Sequence, residues 1–303
     1  MKHFKYGIYL VALALLVSCA TVKEEQGKYK VTEMGHFLWK AESQTAKVYM
    51  LGSIHLAKPD MYPLPDFVEK AFEESDALVV EINTENVNPS DMMTKAMYND
   101  KRTLKNELSE ETYNKLAKMF DENKIMPFVY NRMKPWFAVM MVLTLELAKA
   151  GYEKDLGIDK YFMDKAKDKK DILELESLDF QVNLFDNELE QFQEQFVKYS
   201  LLDQENMVNE VDELVKLWKT NNVAEMERVV LQEVEQNEEF KPLMDKMYGE
   251  RNNNMLKKIE GYLQTDKTYF VVVGAAHLVG DKGIVKMLKN IYNEVEIIGK
   301  DKE

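Results

Sequence analysis

The chain contains four histidines, His3, His36, His55 and His277, and two of them close the same short pattern, Gly52-Ser53-Ile54-His55 and Gly274-Ala275-Ala276-His277. Imidazole is the side chain best suited to exchange a proton near neutrality or to hold a transition metal. A single Gly-x-x-His would arise by accident in roughly one such chain in six, so one copy carries little information. Two copies carry more, because each directly follows an apolar run, Val48-Tyr49-Met50-Leu51 in one case and Phe270-Val271-Val272-Val273 in the other, and each is followed by a leucine. A third group, Glu81, closes the run Ala77-Leu78-Val79-Val80. Two imidazoles and a carboxylate form a borderline-hard donor set suited to Mn, Co, Fe or Zn, with positions left for water and substrate. An ion held this way acidifies bound water and polarises a carbonyl. Taken alone, either histidine reads most simply as a hydrogen-bonded core residue and Glu81 as a strand-end cap. Taken together, the three read as a site.

Such a site needs elements that bring its members to one rim. His36 to Lys40 and Val48 to Leu51 are short apolar runs separated by Glu42-Ser43-Gln44-Thr45, which predicts a β-hairpin. Pro65 stands at a helix start and is followed by Phe67, Val68, Ala71 and Phe72 at helical spacing, and the run 77–82 then reads as a strand. Residues 48–82 are therefore a βαβ unit, so the His55 and Glu81 strands should be parallel and close, with adjacency at about 4.8 Å the simplest arrangement. In a largely parallel sheet, ligands bind outside the carboxyl ends of the strands, and glycine allows the tight turn there.

From about 89 to 263 helical periods dominate. Leu189, Phe192 and Phe196 form one stripe and Val208, Val211, Val215 and Trp218 another, both explained by core packing. Within this region Gly157-Ile158-Asp159 begins a helix, with Asp159 read as a helix-start residue, and Ile172 to Glu176 is a strand whose Glu174 and Glu176 spacing alone does not assign. Lys134-Pro135-Trp136 reads as a turn or helix start with an anchoring aromatic, a structural role. The end returns to strand (Tyr269 to Val273), helix (Ile284, Val285, Leu288 and Ile291 on one face) and a last strand, Val295 to Ile298. The fold class is α/β: a mixed, largely parallel sheet with a large helical insertion.

At 303 residues and 46% hydrophobic content the chain is long enough for a packed core. Its beginning reads as an export signal over residues 1–18: Lys2 and Lys5, an apolar run from Ile8 to Val17, then Ser18-Cys19. That run is too short for the ~20 residues of a spanning helix. Cys19 is the sole cysteine, so no disulfide forms, and its setting resembles the lipobox of bacterial lipoproteins, which makes it the lipidation site. Residues 19–33 then form a polar, lipidated tether and 34–303 one domain. Ala20, where an aspartate is associated with inner-membrane retention, favours the outer membrane, and Lys23-Glu24-Glu25 leaves its periplasmic or surface face open. With 53 acidic against 40 basic residues, nucleic acid is not an expected partner, and the acidity reads as a solvated helical surface.

The segments Gly52 to His55, Val80-Glu81-Ile82, Lys134-Pro135-Trp136, Gly157-Ile158-Asp159, Glu174 to Gln181, Arg251-Asn252-Asn253-Asn254-Met255 and Gly274 to His277 stand in an order that resembles the TraB/PrgY/GumN family, which includes the Tiki proteases. The resemblance covers about residues 34–300. It implies an α/β fold like that of the ChaN and erythromycin-esterase group and a Mn- or Co-dependent protease activity, with Mn or Co favoured over Zn. It places His55, Glu81 and His277 at the metal, and Glu81, Arg251 and Asn252 among the catalytic groups. Arg251 would support Glu81 or stabilise a developing oxyanion, its plain alternative being a helix-surface ion pair. Asn252 is a polar site residue or a cap. The expected activity is a metal-dependent hydrolase acting on a peptide or protein and tethered to the bacterial envelope. The alternative is a lipoprotein that binds a peptide, haem or metal in the same cleft without turnover, since PrgY-like members are associated with peptide pheromones and ChaN-like proteins with haem.

Overall fold

In a computed structural model of the chain, residues 29–188, 190–201, 206–236 and 241–291 are described. The export signal, Cys19, Leu189 and the expected strand Val295 to Ile298 lie outside them. The chain opens with three strands, β1 (Lys30–Gly35), β2 (Leu38–Glu42) and β3 (Lys47–Ser53), then helix α1 (Asp66–Glu73) and strand β4 (Ala77–Val80). Six helices follow: α2 (Pro89–Ala96), α3 (Leu104–Glu107), α4 (Glu110–Glu122), α5 (Pro127–Tyr130), α6 (Pro135–Lys149) and α7 (Ile158–Ala166). Strand β5 (Asp171–Glu174) returns to the sheet, and α8 (Leu178–Asn183), α9 (Gln193–Ser200), α10 (Met207–Lys219), α11 (Val223–Gln236), α12 (Lys241–Met244) and α13 (Arg251–Tyr262) precede β6 (Thr268–Gly274). Helix α14 covers residues 284–291.

The six strands lie in the order β1-β2-β3-β6-β4-β5. The hairpins β1-β2 and β2-β3 are antiparallel, and the pairs β3-β6, β6-β4 and β4-β5 are parallel. The βαβ unit is present as read, but its two strands are not neighbours. Strand β6 lies between them, pairing Leu51 with Val272 on one side and Val80 with Val272 on the other. The reason is in the residues: Tyr269 to Val273 are buried on both faces, the signature of a central parallel strand.

A second correction concerns the tether. Strand β1 begins at Lys30 and Tyr29 is buried at 2% exposure, so the folded domain starts inside the stretch expected to be a linker. Polar residues do not forbid this, because an edge strand needs backbone pairing on one side and only Val31 and Met34 reach the core. The main core is the sheet with α1, α7, α10, α13 and α14 packed on it. A separate cluster built by α3, α4, α5, α6 and α9 around Leu116, Phe120, Tyr130 and Val142 fills the helical insertion. Lys134 and Trp136 serve that insertion, since both donate to the Asp186 carboxylate, at 2.5 and 2.9 Å.

Candidate active site

Strands β3 and β6 end in register, Ser53 opposite Gly274, and β4 ends at Val80 opposite Val272. The residues that leave these three neighbouring strands at their carboxyl ends are His55, His277 and Glu81. Beyond β4 and β5 the pairing continues for two residues, Leu175 N–H to Val80 O and Glu176 N–H to Glu81 O, each at 2.8 Å, which sets Glu176 beside Glu81. Glu81 is fixed at both oxygens: Oε1 accepts the Gly274 N–H at 2.7 Å and Oε2 accepts Arg251 Nη2 at 2.9 Å. Arg251, at the start of α13, also donates from Nε and Nη2 to Glu176 at 2.8 and 2.7 Å and from Nη1 to the Met247 carbonyl at 3.2 Å.

Each imidazole is held from behind. His55 Nδ1 lies 3.0 Å from Asp159 Oδ1, so Nδ1 carries the proton donated to the carboxylate and Nε2 is left outward. His277 Nδ1 lies 2.5 Å from Asn252 Oδ1, and Asn252 Nδ2 donates to the Lys282 carbonyl at 2.8 Å, which fixes the amide orientation and again leaves Nε2. His277 Nε2 stands 3.8 Å from Glu81 Oε1. All three groups surround Gly274: a Cβ built there would lie 3.4 Å from Glu81 Oε1, 3.4 Å from His55 Nε2 and 3.6 Å from His277 Cδ2.

These groups form the floor of a cleft of about 370 Å³, whose upper walls come from α6, α10 and α11. Arg251, Asn252, Glu176 and His277 are buried, whereas the His55 side chain is 60% exposed. The residues 37–296, most of the chain and all of this cleft, match the family model described as TraB/PrgY/gumN family. The chain belongs to the TraB/PrgY/gumN family. It is also 26% identical over 268 residues to "Uncharacterized protein YbaP" of Escherichia coli (strain K12), a match covering 84% of this chain and 94% of that protein. The protein of the same name from Shigella flexneri matches with the same identity and coverage. No solved structure gives a significant match.

In this TraB/PrgY/gumN chain the electrostatics of the cleft separate its titratable groups. Burial works against a charged Glu81, but His277, His55, Arg251 and the Gly274 N–H outweigh it and hold the carboxyl at about 2. Burial dominates at His277, pushing the imidazole down to about 4. At His55 desolvation is outweighed by the Asp159 hydrogen bond and by the charges of Asp159 and Glu81, which raise it to about 9. Among the described residues, no three His, Cys, Asp or Glu side chains stand disposed to enclose a metal ion as placed. The donor chemistry fits nevertheless, because two imidazoles with Nδ1 anchored on oxygen and a fixed carboxylate share one small space above Gly274.

Three contributors were not assigned from sequence. Asp159, read as a helix start, positions His55; Glu176, left unassigned, holds Arg251; and Tyr248 places its ring 5.3 Å from that of His277. Arg251 and Asn252 touch Glu81 and His277 from behind, which makes them positioning residues. Nη1, Nη2 and Nε of Arg251 are all engaged within the protein, so the geometry favours support of Glu81 over an oxyanion role.

Proposed function

We propose that this protein is a metal-dependent hydrolase of peptides, with Mn or Co favoured over Zn, carried on the bacterial envelope by a lipid on Cys19, on the outer membrane. The finer fold assignment, an α/β arrangement of the ChaN and erythromycin-esterase kind, belongs to the same reading. The observation that supports it best is the convergence of His55 Nε2, His277 and Glu81 Oε1 on the space above Gly274. His55, His277 and Glu81 would hold the ion, which when bound supplies an acidified water and a polarised carbonyl.

The chain's own groups have separable tasks. Glu81, with a carboxyl near 2, is too weak a base to take a proton at neutrality and serves as a fixed negative charge. Arg251 holds that charge in place, and the buried Glu176 carboxylate balances Arg251. Asn252 fixes the tautomer of His277 and Asp159 orients the ring of His55, which, raised to about 9, must release its Nε2 proton before it holds an ion; both rings turn Nε2 to the cleft. The second reading, capture of a peptide without turnover, is favoured by the largely apolar upper walls.

The deciding experiment measures metal content by elemental analysis after dialysis against Mn, Co and Zn, together with turnover of a peptide library. His55→Ala, His277→Ala and Glu81→Gln should lose metal and hydrolysis while keeping the circular dichroism of the parent. His36→Ala should keep both, as that imidazole packs on Trp218 rather than in the cleft. Full metal occupancy in a folded His55→Ala/His277→Ala protein refutes the site, and specific peptide binding with no turnover in any metal selects the second reading. For the anchor, a Cys19→Ser protein should carry no acyl chains by mass spectrometry.

A further inference from the structure

The upper walls of the cleft are Leu147 from α6, Val211, Leu214 and Val215 from α10, and Met226 from α11, with Tyr248 at the side of His277. None of these side chains carries a charge. Among the described residues the one arginine or lysine lining the cleft, Arg251, spends its donors on Glu81, Glu176 and the Met247 carbonyl, and the His55 imidazolium is paired with Asp159, so no lysine or arginine is left there for a terminal carboxylate or an acidic side chain.

The apolar wall is also fixed relative to the histidine motifs. Helix α10 is tied at its middle, where Asp212 accepts Lys58 Nζ and Tyr152 Oη at 2.7 Å each. It is tied again at its end, where Trp218 Nε1 donates to the Gly52 carbonyl at 2.7 Å, within the motif that carries His55. Leu214 and Val215 lie between these two ties and Val211 directly precedes the first, so their distance from the His55 strand is set by these hydrogen bonds. A wall held this way discriminates between side chains, whereas a mobile one adapts to them. At about 370 Å³ the cleft is at the small end of ligand sites, which run from roughly 300 to 1,000 Å³, and suits one or two side chains with their backbone.

Resting on the peptidase reading above, we infer that Leu147, Val211, Leu214, Val215 and Met226 form a specificity subsite for an apolar side chain of the peptide, next to the bond that is cleaved, and that chain-end carboxylates are not recognised. The test uses internally quenched peptides of constant flanks in which one central position is Leu, Met, Asp or Lys, each made as free acid and as amide. kcat/KM for Leu and Met should exceed that for Asp by about 10- to 200-fold, the range that hydrophobic pockets achieve, with amide and acid cleaved alike. Leu214→Glu should lower cleavage of the Leu peptide and raise that of the Lys peptide, and Val211→Glu should do the same should Leu214→Glu fail to fold. In parallel, binding of labelled Leu and Asp peptides to the His55→Ala/His277→Ala protein is read by fluorescence anisotropy. Cleavage without preference among the four residues, dependence on a free carboxylate, or equal binding of Leu and Asp peptides would overturn the subsite. Preferential binding of the Leu peptide with no turnover in any metal supports the subsite and overturns the peptidase reading instead.

Discussion

Gly274 adopts backbone angles open to any residue (φ −50°, ψ 136°), so its main chain does not call for glycine. What calls for it is the space above it, where an added Cβ meets Glu81 and His55 at ordinary contact distance. On the proposed metal site, Gly274→Ala should therefore fold, with a Tm within a few degrees of the parent, and yet bind Mn or Co far more weakly than the parent by calorimetry. Unchanged affinity would place the ion elsewhere. Arg251 carries the opposite signature. It neutralises two carboxylates that are themselves withdrawn from water, and removing one partner of a buried charge network leaves the rest uncompensated. Arg251→Met should cost about 3–5 kcal/mol in urea denaturation, and Arg251→Lys should recover only part because an ammonium cannot fork across two carboxylates. A loss below about 1 kcal/mol would mean that the network is solvated. The pH profile of the chelator-treated protein follows from the same groups. His277 has a folded value of about 4 against 6.5 unfolded, so the unfolded chain takes the proton first and stability is lost as pH falls from 6.5 through 4. Glu81, at about 2 against 4.5, contributes a second loss from 4.5 down through 2. In urea titrations across pH, His277→Gln should abolish the first limb and shrink the second, because the His277 charge is the largest of those that hold Glu81 down.

Helix α7 shows how an element can be read correctly and its purpose missed. Its start at Gly157-Ile158-Asp159 is legible, but the sequence does not say that a Cβ on Gly157 would stand 2.3 Å from the His55 carbonyl, nor that Ile158 N–H donates to Ile54 O at 3.1 Å. These contacts seat α7 against the His55 loop, and the paired hydrogen bonds between Ala57 and Glu153 hold the loop's far side. Gly157→Ala must push α7 off that backbone. The expected result is a lower Tm and loss of the His55 to Asp159 hydrogen bond, seen by NMR as a fall in the His55 pKa from about 9 towards 6.5. Asp159→Asn should lower that pKa too, with a Tm loss confined to pH below about 9 where the raised value stabilises the fold, whereas Gly157→Ala should lower Tm at every pH, which separates the helix from its carboxylate. The strands β2, β3, β4, β5 and β6 and helix α1 were legible because apolar periodicity reports burial directly. The place of β6 between β3 and β4 was not, because a βαβ pattern reports handedness and parallelism and leaves room for a third strand from far along the chain. For the same reason Glu176 stayed unassigned: its meaning lies in Arg251, 75 residues away.

Across the described residues, the two larger cores meet at α6, whose Val139 and Val142 belong to the helical cluster and whose Leu147 belongs to the sheet. The helical cluster is the smaller and has no strand in it, so it should open without the sheet opening. Amide exchange followed by mass spectrometry should show α4, α5 and α9 protected less than β3, β4 and β6, and equal protection would mean a single cooperative unit. The place of β6 at the centre of the sheet bears on synthesis as well. Until residues 268–274 leave the ribosome, β3 and β4 have no common neighbour, and a slot of about 10 Å, two strand spacings, separates the edges they will later share. A nascent chain held at any earlier point can have neither the completed sheet nor the space above Gly274. Assembly of the site is thus tied to the arrival of the last described strand, and fragments stopped before Thr268 leave two facing β edges free to capture one another, which makes them candidates for proteolysis or aggregation.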